Sequence, residues 1–458
     1  MNVLFGLAIV LVLMLSESGT SGHWIASDEI RVALLILLTS IPPLFAAGQV
    51  CVFHYRFSSV SDFESKRYTL GRFAIWHFAV WLVSSLAIVV LIQWQLTVRN
   101  SWQLDRFPAI DEMLILAPCL VSLIVSWFIL FETQSGSVKE IEVRAARNEY
   151  VSIRCRIYLM IVLIPIAAMI MIKDFWYITS PMPPYVLVTA MLTVLLSLLA
   201  FMPWIIGKIW SSRSVSEAEG SPRLLQLCAD QRMGVKDILV WDTGQSVVNA
   251  LVAGVFPKFR VLMMSDLLLK SFPDEEIDAI LRHEAGHLRL AHLPIRLAFI
   301  LLPVAAMFAM DLDPNQTMIS VSHACMQMTG FNFSPSLIPT ILLILYMFVI
   351  TAWLSKKMEF EADLYAAGLL RMGGDSVESN TPILSQAMCN ALLRFAANNP
   401  EQMSESSLTH PSLQQRLDLI KKCSNDPAVA RRYFWRFRIR LLALATALLI
   451  LTGVMLVW

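Results

Sequence analysis

The sequence predicts a polytopic α-helical membrane protein with a polar α+β portion threaded between its spans. Three observations predict it. Of 458 residues, 57% are hydrophobic and 16% charged, with a mean hydropathy of +0.62. Soluble globular chains sit nearer about 45–50% apolar and about 25% charged. Apolar stretches of about 20 residues, the length a helix needs to cross a bilayer, recur along the chain. Two long polar segments, 208–293 and 355–438, interrupt them. A soluble enzyme, a disordered chain and a fibrous one are thereby excluded. The 36 Lys+Arg against 35 Asp+Glu give a net charge of +1, so no basic domain suggests a nucleic-acid partner.

The spans are expected near 32–53, 73–96, 112–131, 157–178, 184–207, 294–312, 337–354 and 439–458. The apolar stretch 1–15 makes a ninth span or an uncleaved signal anchor; no cation precedes it and no A-x-A site follows, which disfavours a cleaved signal. The organisation expected is an N-terminal transmembrane region 1–207, a first catalytic part 208–293, a transmembrane hairpin 294–354, a second catalytic part 355–438 and a last helix 439–458. Cations set the orientation. Arg56, Lys66, Arg67 and Arg72 crowd one loop, and Lys139, Arg144, Arg147, Arg154 and Arg156 another; the alternate loops are poor in them. By the positive-inside rule both polar segments face the cytoplasm. Arg431, Arg432, Arg436, Arg438 and Arg440 then meet the inner leaflet. Trp24, Trp102, Trp176 and Tyr177 fall at predicted interfaces. Asn315 and Asn332 begin sequons on the outer loop 313–336, which matter only in a eukaryotic secretory membrane. The seven scattered cysteines, Cys51, Cys119, Cys155, Cys228, Cys325, Cys389 and Cys423, contain no C-x-x-C pair. They predict neither a disulfide framework nor a cysteine zinc site, and read as small apolar fillers.

The chemistry sits in His283-Glu284-Ala-Gly-His287. On a helix the two histidines lie four apart and share a face. That suits two zinc ligands, with Glu284 placed to act on a bound water. Ser271 and Asp274 resemble a capping box, Pro273 suits a first turn, and Asp274, Glu275 and Glu276 favour the positive end of the helix dipole. With only eight histidines in the chain, a chance match is improbable. A catalytic site needs a third ligand. Candidates lie where the hairpin returns, in Glu359-Phe-Glu361-Ala-Asp363; Glu359 and Asp363 share a helix face and Glu361 points elsewhere. Short strands are expected at Asp237–Trp241, 246–250 and Val261–Met264, with a turn at 242–245.

These residues resemble the integral-membrane zinc metallopeptidases that include the type I CAAX prenyl endopeptidase and the HtpX quality-control protease. Four blocks in order carry the resemblance, over roughly 235–420: Val248-Asn249-Ala250-Leu-Val-Ala-Gly254, the His283–His287 helix, Glu359-Phe-Glu-Ala362-Asp363, and Thr409-His410-Pro411 with Arg416 six residues after the histidine. The resemblance implies a split α+β zincin-like (gluzincin) domain holding one Zn2+ per chain through His283, His287 and Glu359. Glu284 would be the general base and Asp363 would orient a ligand histidine. His410 and Arg416 would hold substrate or the developing oxyanion, and Asn249 and Ala250 would lie on an edge strand that takes the substrate as an added strand. His292 also recurs in such relatives, with a structural hydrogen bond and a site role both open. Relatives usually carry Arg at the position of Lys356. The prenyl protease has seven spans where this chain has eight or nine.

The reaction expected is hydrolysis of peptide bonds in membrane-associated, misfolded or prenylated proteins, by a protein of the bacterial inner membrane or a eukaryotic organelle membrane. Protein or peptide substrate and the lipid bilayer are the expected partners; oligomeric state is open. Two alternatives stand beside it. One is a zinc-containing sensor or scaffold in signalling, against which the intact base and ligands argue. The other is an intramembrane site-2-type protease, disfavoured by the charges around the motif and the absence of an Asp-Gly pair.

Overall fold

The computed structural model describes residues 2–16, 19–20, 25, 27–57, 63–104, 107, 109–133, 147–148, 150–179, 184–210, 212–215, 220–242, 248–312, 323–324, 327–328, 331–332, 337–370, 381–398 and 401–457. Of the expectations above, those for Trp24, Arg67 beyond its backbone, Lys139, Arg144, Asn315, Cys325, residues 243–247 and the side chains of Trp176, Tyr177 and Asn332 lie outside them. The chain divides into two compact units, Met1–Leu195 with Met307–Leu342, and Leu196–Ala306 with Leu343–Trp458.

The first unit is built of long apolar helices: α1 (Asn2–Ser16), α2 (Asp28–Phe57), α3 (Phe63–Val90), α4 (Ile110–Leu130), α5 (Ile161–Thr179) and the start of α6 (Pro184–Ile209). Their apolar faces meet around Phe5, Trp81, Ile88, Ile115 and Trp127. The Trp81 indole donates to the Cys119 carbonyl at 2.8 Å, which satisfies its one polar atom inside an apolar cluster. α3 stops at Val90 rather than at 96, because Gln93 takes a left-handed conformation (φ 55°) and starts a new short turn at Trp94–Leu96. Among the described residues four helical stretches are long and apolar enough to cross a membrane: Asp28–Phe57, Thr69–Val90, Ile110–Thr133 and Ile341–Ala366. The number rises to six if two bent pairs each count as one span.

The second unit carries the polar α+β portion. Its sheet has four strands, β1 (Arg213–Ser214), β2 (Asp237–Trp241), β3 (Ala250–Ala253) and β4 (Val261–Ser265), in the order β1-β2-β4-β3. β2 and β4 run parallel, Asp237 opposite Val261. β3 pairs antiparallel with β4, Ala250 opposite Met264, and forms the sheet edge. The edge strand starts at Ala250, later than the expected 246–250. Gly254 ends it at φ 114°, where a Cβ would lie 2.9 Å from the Arg260 backbone and 2.9 Å from Pro203, so only glycine fits.

α7 (Ser221–Asp230) and α9 (Asp274–Arg289) cover the sheet; Leu224, Ile277, Leu281 and Ala285 pack on Ile238, Val240, Leu262 and Met264. The other face of α9 meets α12 (Thr381–Asn398), with Ala279 against Met388 and Leu392, and with Arg394 paired to Glu276 at 2.5 Å. α8 (Asp266–Ser271) precedes α9 and is capped by Ser265, whose hydroxyl accepts from Leu268 N. Ser271 therefore closes α8 instead of capping α9, and Pro273 takes that N-cap position with no side-chain cap. Proline suffices because it fixes the extended entry and removes one N–H that would otherwise need a partner.

Two helices run across expected boundaries. α11 (Leu337–Ala366) is one helix from the expected span 337–354 through Glu359 to Asp363. Nothing in Ser355-Lys-Lys-Met breaks it. Likewise α14 (Pro427–Val457) carries the arginine run directly into the last apolar stretch. α10 (His292–Leu312) follows α9 after a 47° bend. The bend sits at Ala291, which is left-handed at φ 56°. α13 (Leu413–Asn425) begins with a full capping box, Ser412 with Gln415.

Candidate metal centre

α9 presents His283 and His287 one turn apart, their Nε2 atoms 3.2 Å from each other. α11 brings Glu359 beside both: Oε2 lies 3.6 Å from His283 Nε2, and Oε1 3.5 Å from His287 Nε2. The helices can approach this closely because Gly286 faces Ala362. A Cβ on Gly286 would lie 3.1 Å from the Ala362 Cα and 3.2 Å from the Tyr365 Cβ.

The donor set fits zinc. Zinc–ligand bonds of about 2.0–2.1 Å at tetrahedral angles hold neighbouring donors roughly 3.3 Å apart. The two imidazole nitrogens here are 3.2 Å apart, and each has a Glu359 carboxylate oxygen at 3.5 or 3.6 Å, spacings close to that value. Burial, with His283 next to it, pushes His287 down to about 3. A neutral imidazole is the form that binds a metal. Among the described residues one other group could hold a cation, Asp111, Glu112 and Asp174 in the first unit. There Arg99 pairs with Asp111 at 2.7 Å and Lys173 with Glu112 at 3.2 Å, so two cations already supply the positive charge.

The candidate donors are themselves held. Asp363 Oδ1 lies 2.9 Å from His283 Nδ1. Arg416, on α13, grips Asp363 with two parallel contacts, Nε to Oδ2 at 2.7 Å and Nη2 to Oδ1 at 2.6 Å. A bidentate pair of this kind fixes the carboxylate plane. The remaining Arg416 Nη1 lies 3.6 Å from Glu359 Oε2. His410 approaches the same Glu359 oxygen at 3.4 Å and keeps a side chain 60% exposed. Thus Arg416 is spent mainly on Asp363, while His410 stands at the open mouth.

His287 is braced from the other side. Its Nδ1 lies 2.9 Å from His292 Nδ1, and His292 Nε2 lies 3.0 Å from Glu361 Oε2. Arg438 donates to that carboxylate at 3.1 Å and to the Leu290 carbonyl at 3.0 Å. The left-handed Ala291 makes this possible, since it turns the chain so that His292 folds back on His287. Sequence reading left Glu361 pointing elsewhere and gave Arg438 no role beyond the lipid surface. The signal for Glu361 was in the pattern: two residues from Glu359 on a helix is the opposite face, which is where His292 lies. No local signal could have found Arg438, which comes from 77 positions further along. Arg296, one turn after His292, was also passed over; among the described residues its buried Nε has no hydrogen-bond partner, and its Nη2 lies 3.8 Å from the Met358 sulfur.

Glu284 points to the sheet edge, where its Oε2 accepts from Val252 N at 3.1 Å. Burial pushes this carboxyl up to about 7. The pairing explains why a β3 N–H is free to reach it. Ser265 N donates to the Asn249 carbonyl at 2.9 Å, so 249, 251 and 253 face β4 while 250 and 252 face outward. Asn249 is thus tied by its backbone to Ser265, with a further bond from its N–H to the Ser265 hydroxyl at 3.0 Å, and Ala250 presents its backbone groups at the open edge.

Residues 224–424 match Peptidase family M48. The chain is 23% identical over 219 residues to Protease HtpX of Aliivibrio fischeri (strain MJ11), covering 42% of this chain and 67% of that one. It is 24% identical over 188 residues to Protease HtpX of Histophilus somni (strain 2336), covering 38% and 62%. With the Protease HtpX homolog of Verminephrobacter eiseniae (strain EF01-2) identity is 24% over 258 residues, 50% of this chain and 82% of that one. The crystal structure of S. mikatae Ste24p superposes with a TM-score of 0.55 at 16% identity, over 84% of this chain and 98% of that one. That likeness is one of fold.

Proposed function

From a chain that carries a Peptidase family M48 domain and is a membrane metalloprotease, we propose a zinc-dependent endopeptidase that cuts membrane-associated, misfolded or prenylated proteins on the cytoplasmic side. The observation that supports it most is the placing of Glu284 between a three-donor metal face and an open strand edge. His283, His287 and Glu359 would hold the zinc. Bound there, zinc supplies Lewis-acid polarisation of the scissile carbonyl and lowers the pKa of water towards about 7.

The remaining steps belong to the chain's own residues. A substrate strand aligns on β3 through the outward backbone groups of Ala250, which sets the scissile bond beside Glu284. Glu284 takes a proton from the attacking water and returns it to the leaving amine. A carboxyl poised near neutrality does both, because neither transfer is steeply uphill. His410, exposed and next to Glu359, would donate to the developing oxyanion. Arg416 acts through Asp363 to keep His283 aimed. Backbone recognition of an extended peptide reads little of its sequence, so selectivity would be loose and set by which chains reach the membrane surface in an unfolded state.

The test is cleavage of an unfolded model protein, such as reduced carboxymethylated casein, by detergent-purified wild type and Glu284→Gln. Cleavage by wild type, lost on chelation and restored by zinc, with the variant inactive, supports the reading. Equal cleavage by the two proteins overturns it.

A further inference from the structure

Away from the metal centre, the second unit contains a strongly cationic cavity of about 430 Å³. Three helices wall it. Lys357 comes from α11, Lys422 from α13, and Arg432, Arg436 and Arg440 from α14, with Tyr433 among them. The three arginines lie at successive four-residue steps and so share one face of α14. Five cations meet one carboxylate: Asp426 pairs with Arg432 at 3.1 Å. Among the described residues Lys357, Lys422, Arg436 and Arg440 have no carboxylate partner. The Lys357 ammonium instead sits 5.4 Å from the Tyr433 ring centroid.

Such a cluster is self-repelling. One kind of ligand relieves it, an anion with several acceptor oxygens. Phosphate has that chemistry and is matched by arginine forks. The surroundings identify its source. α14 continues from the arginines into exposed apolar residues, Ile439, Leu442, Leu449 and Ile450, and carries Trp435 at 59% exposure. Exposed apolar side chains following the cations, with an aromatic residue at the head of the helix, are the pattern of a helix entering a bilayer, which would set the cavity at headgroup level.

We propose that this cavity binds the phosphate headgroup of an anionic phospholipid, with Arg436, Arg440 and Lys357 neutralising the phosphate. Basic pockets at this depth are where anionic headgroups bind. The inference does not rest on the proteolytic reading; it would stand in a chain that cleaves nothing.

The full-length protein, delipidated in neutral detergent, is titrated in native mass spectrometry with dioleoylphosphatidylglycerol or dioleoylphosphatidylcholine. Wild type is expected to take up the anionic lipid about tenfold more tightly. R436Q/R440Q is expected to lose that preference, with inorganic pyrophosphate failing to displace the lipid. Thermal unfolding checks that the variant folds; should it not, Lys357→Gln on a different helix is read the same way and is expected to reduce the preference severalfold. No preference in wild type, or equal preference in wild type and a folded variant, overturns the proposal. Displacement by pyrophosphate overturns the lipid assignment and gives the cavity to a soluble phosphate.

Discussion

Glu359 collects His283, His287, His410 and Arg416 around one carboxyl, all within 3.6 Å. Removing it leaves two histidine donors, too few for a stable zinc site. Glu359→Ala is therefore expected to hold far less than one zinc per chain, measured by inductively coupled plasma mass spectrometry, where wild type holds about one. Zinc retained at the wild-type level would move the third ligand elsewhere. Glu284→Gln separates chemistry from binding. It keeps an acceptor oxygen for Val252 N–H and removes the base, so zinc content should stay and cleavage should fall by roughly 10²–10⁴-fold. Glu361→Gln leaves all three ligands in place but weakens the hold on His292 and thus on His287. Losses of about 10–100-fold in metal affinity attend such changes, measurable by competition with a fluorescent zinc chelator. An unchanged affinity would reduce the His292–Glu361–Arg438 chain to a structural contact.

At the scale of the element, the site depends on how closely two helices approach. Gly286 lets α9 lie against Ala362 of α11, and a methyl group there would meet backbone, not a side chain that can rotate away. Gly286→Ala should gain helix propensity of about 1 kcal/mol yet lose about 1–3 kcal/mol to overpacking. Its sharper effect falls on the metal, because separating the helices widens the 3.5 and 3.6 Å edges to Glu359. A lower zinc affinity at near-normal thermal stability is the expected signature. Behind the same helix, Leu281 is fully buried against the sheet. Leu281→Ala should cost about 2–5 kcal/mol, seen as a lowered midpoint in chemical unfolding. The continuity of α11 adds a further constraint, since Glu359 follows the apolar stretch 343–354 on the same helix.

For the whole molecule, orientation is the open physical variable. The cation-rich loops predict that the polar portion faces the cytoplasm. A single cysteine placed at Glu405, in a cysteine-free background, should react with an impermeant maleimide only after the membrane is opened. Labelling in intact cells would reverse the assignment.

What the sequence determined by itself is the part written in short range. The apolar stretches, the His283–His287 spacing and the Glu359–Asp363 spacing are local regularities, and helix geometry alone converts them into faces and donors. Strands at Asp237–Trp241 and Val261–Ser265 were legible for the same reason, as runs of β-branched and apolar residues between breakers. The N-terminus of α9 was misread because Ser271 closes the short helix α8 and Pro273 takes the N-cap position without a side-chain cap, and a capping pattern of four residues recurs too often to be unique. What only the tertiary structure decided is long-range pairing: Arg416 on Asp363, Arg438 on Glu361, Glu284 on the Val252 N–H, and the cationic cavity shared by three helices. The three pairings join positions 32 to 77 residues apart. Charge alone does not say which arginine meets which carboxylate; the close packing of α9 against α11, and the left-handed turn at Ala291, make that choice.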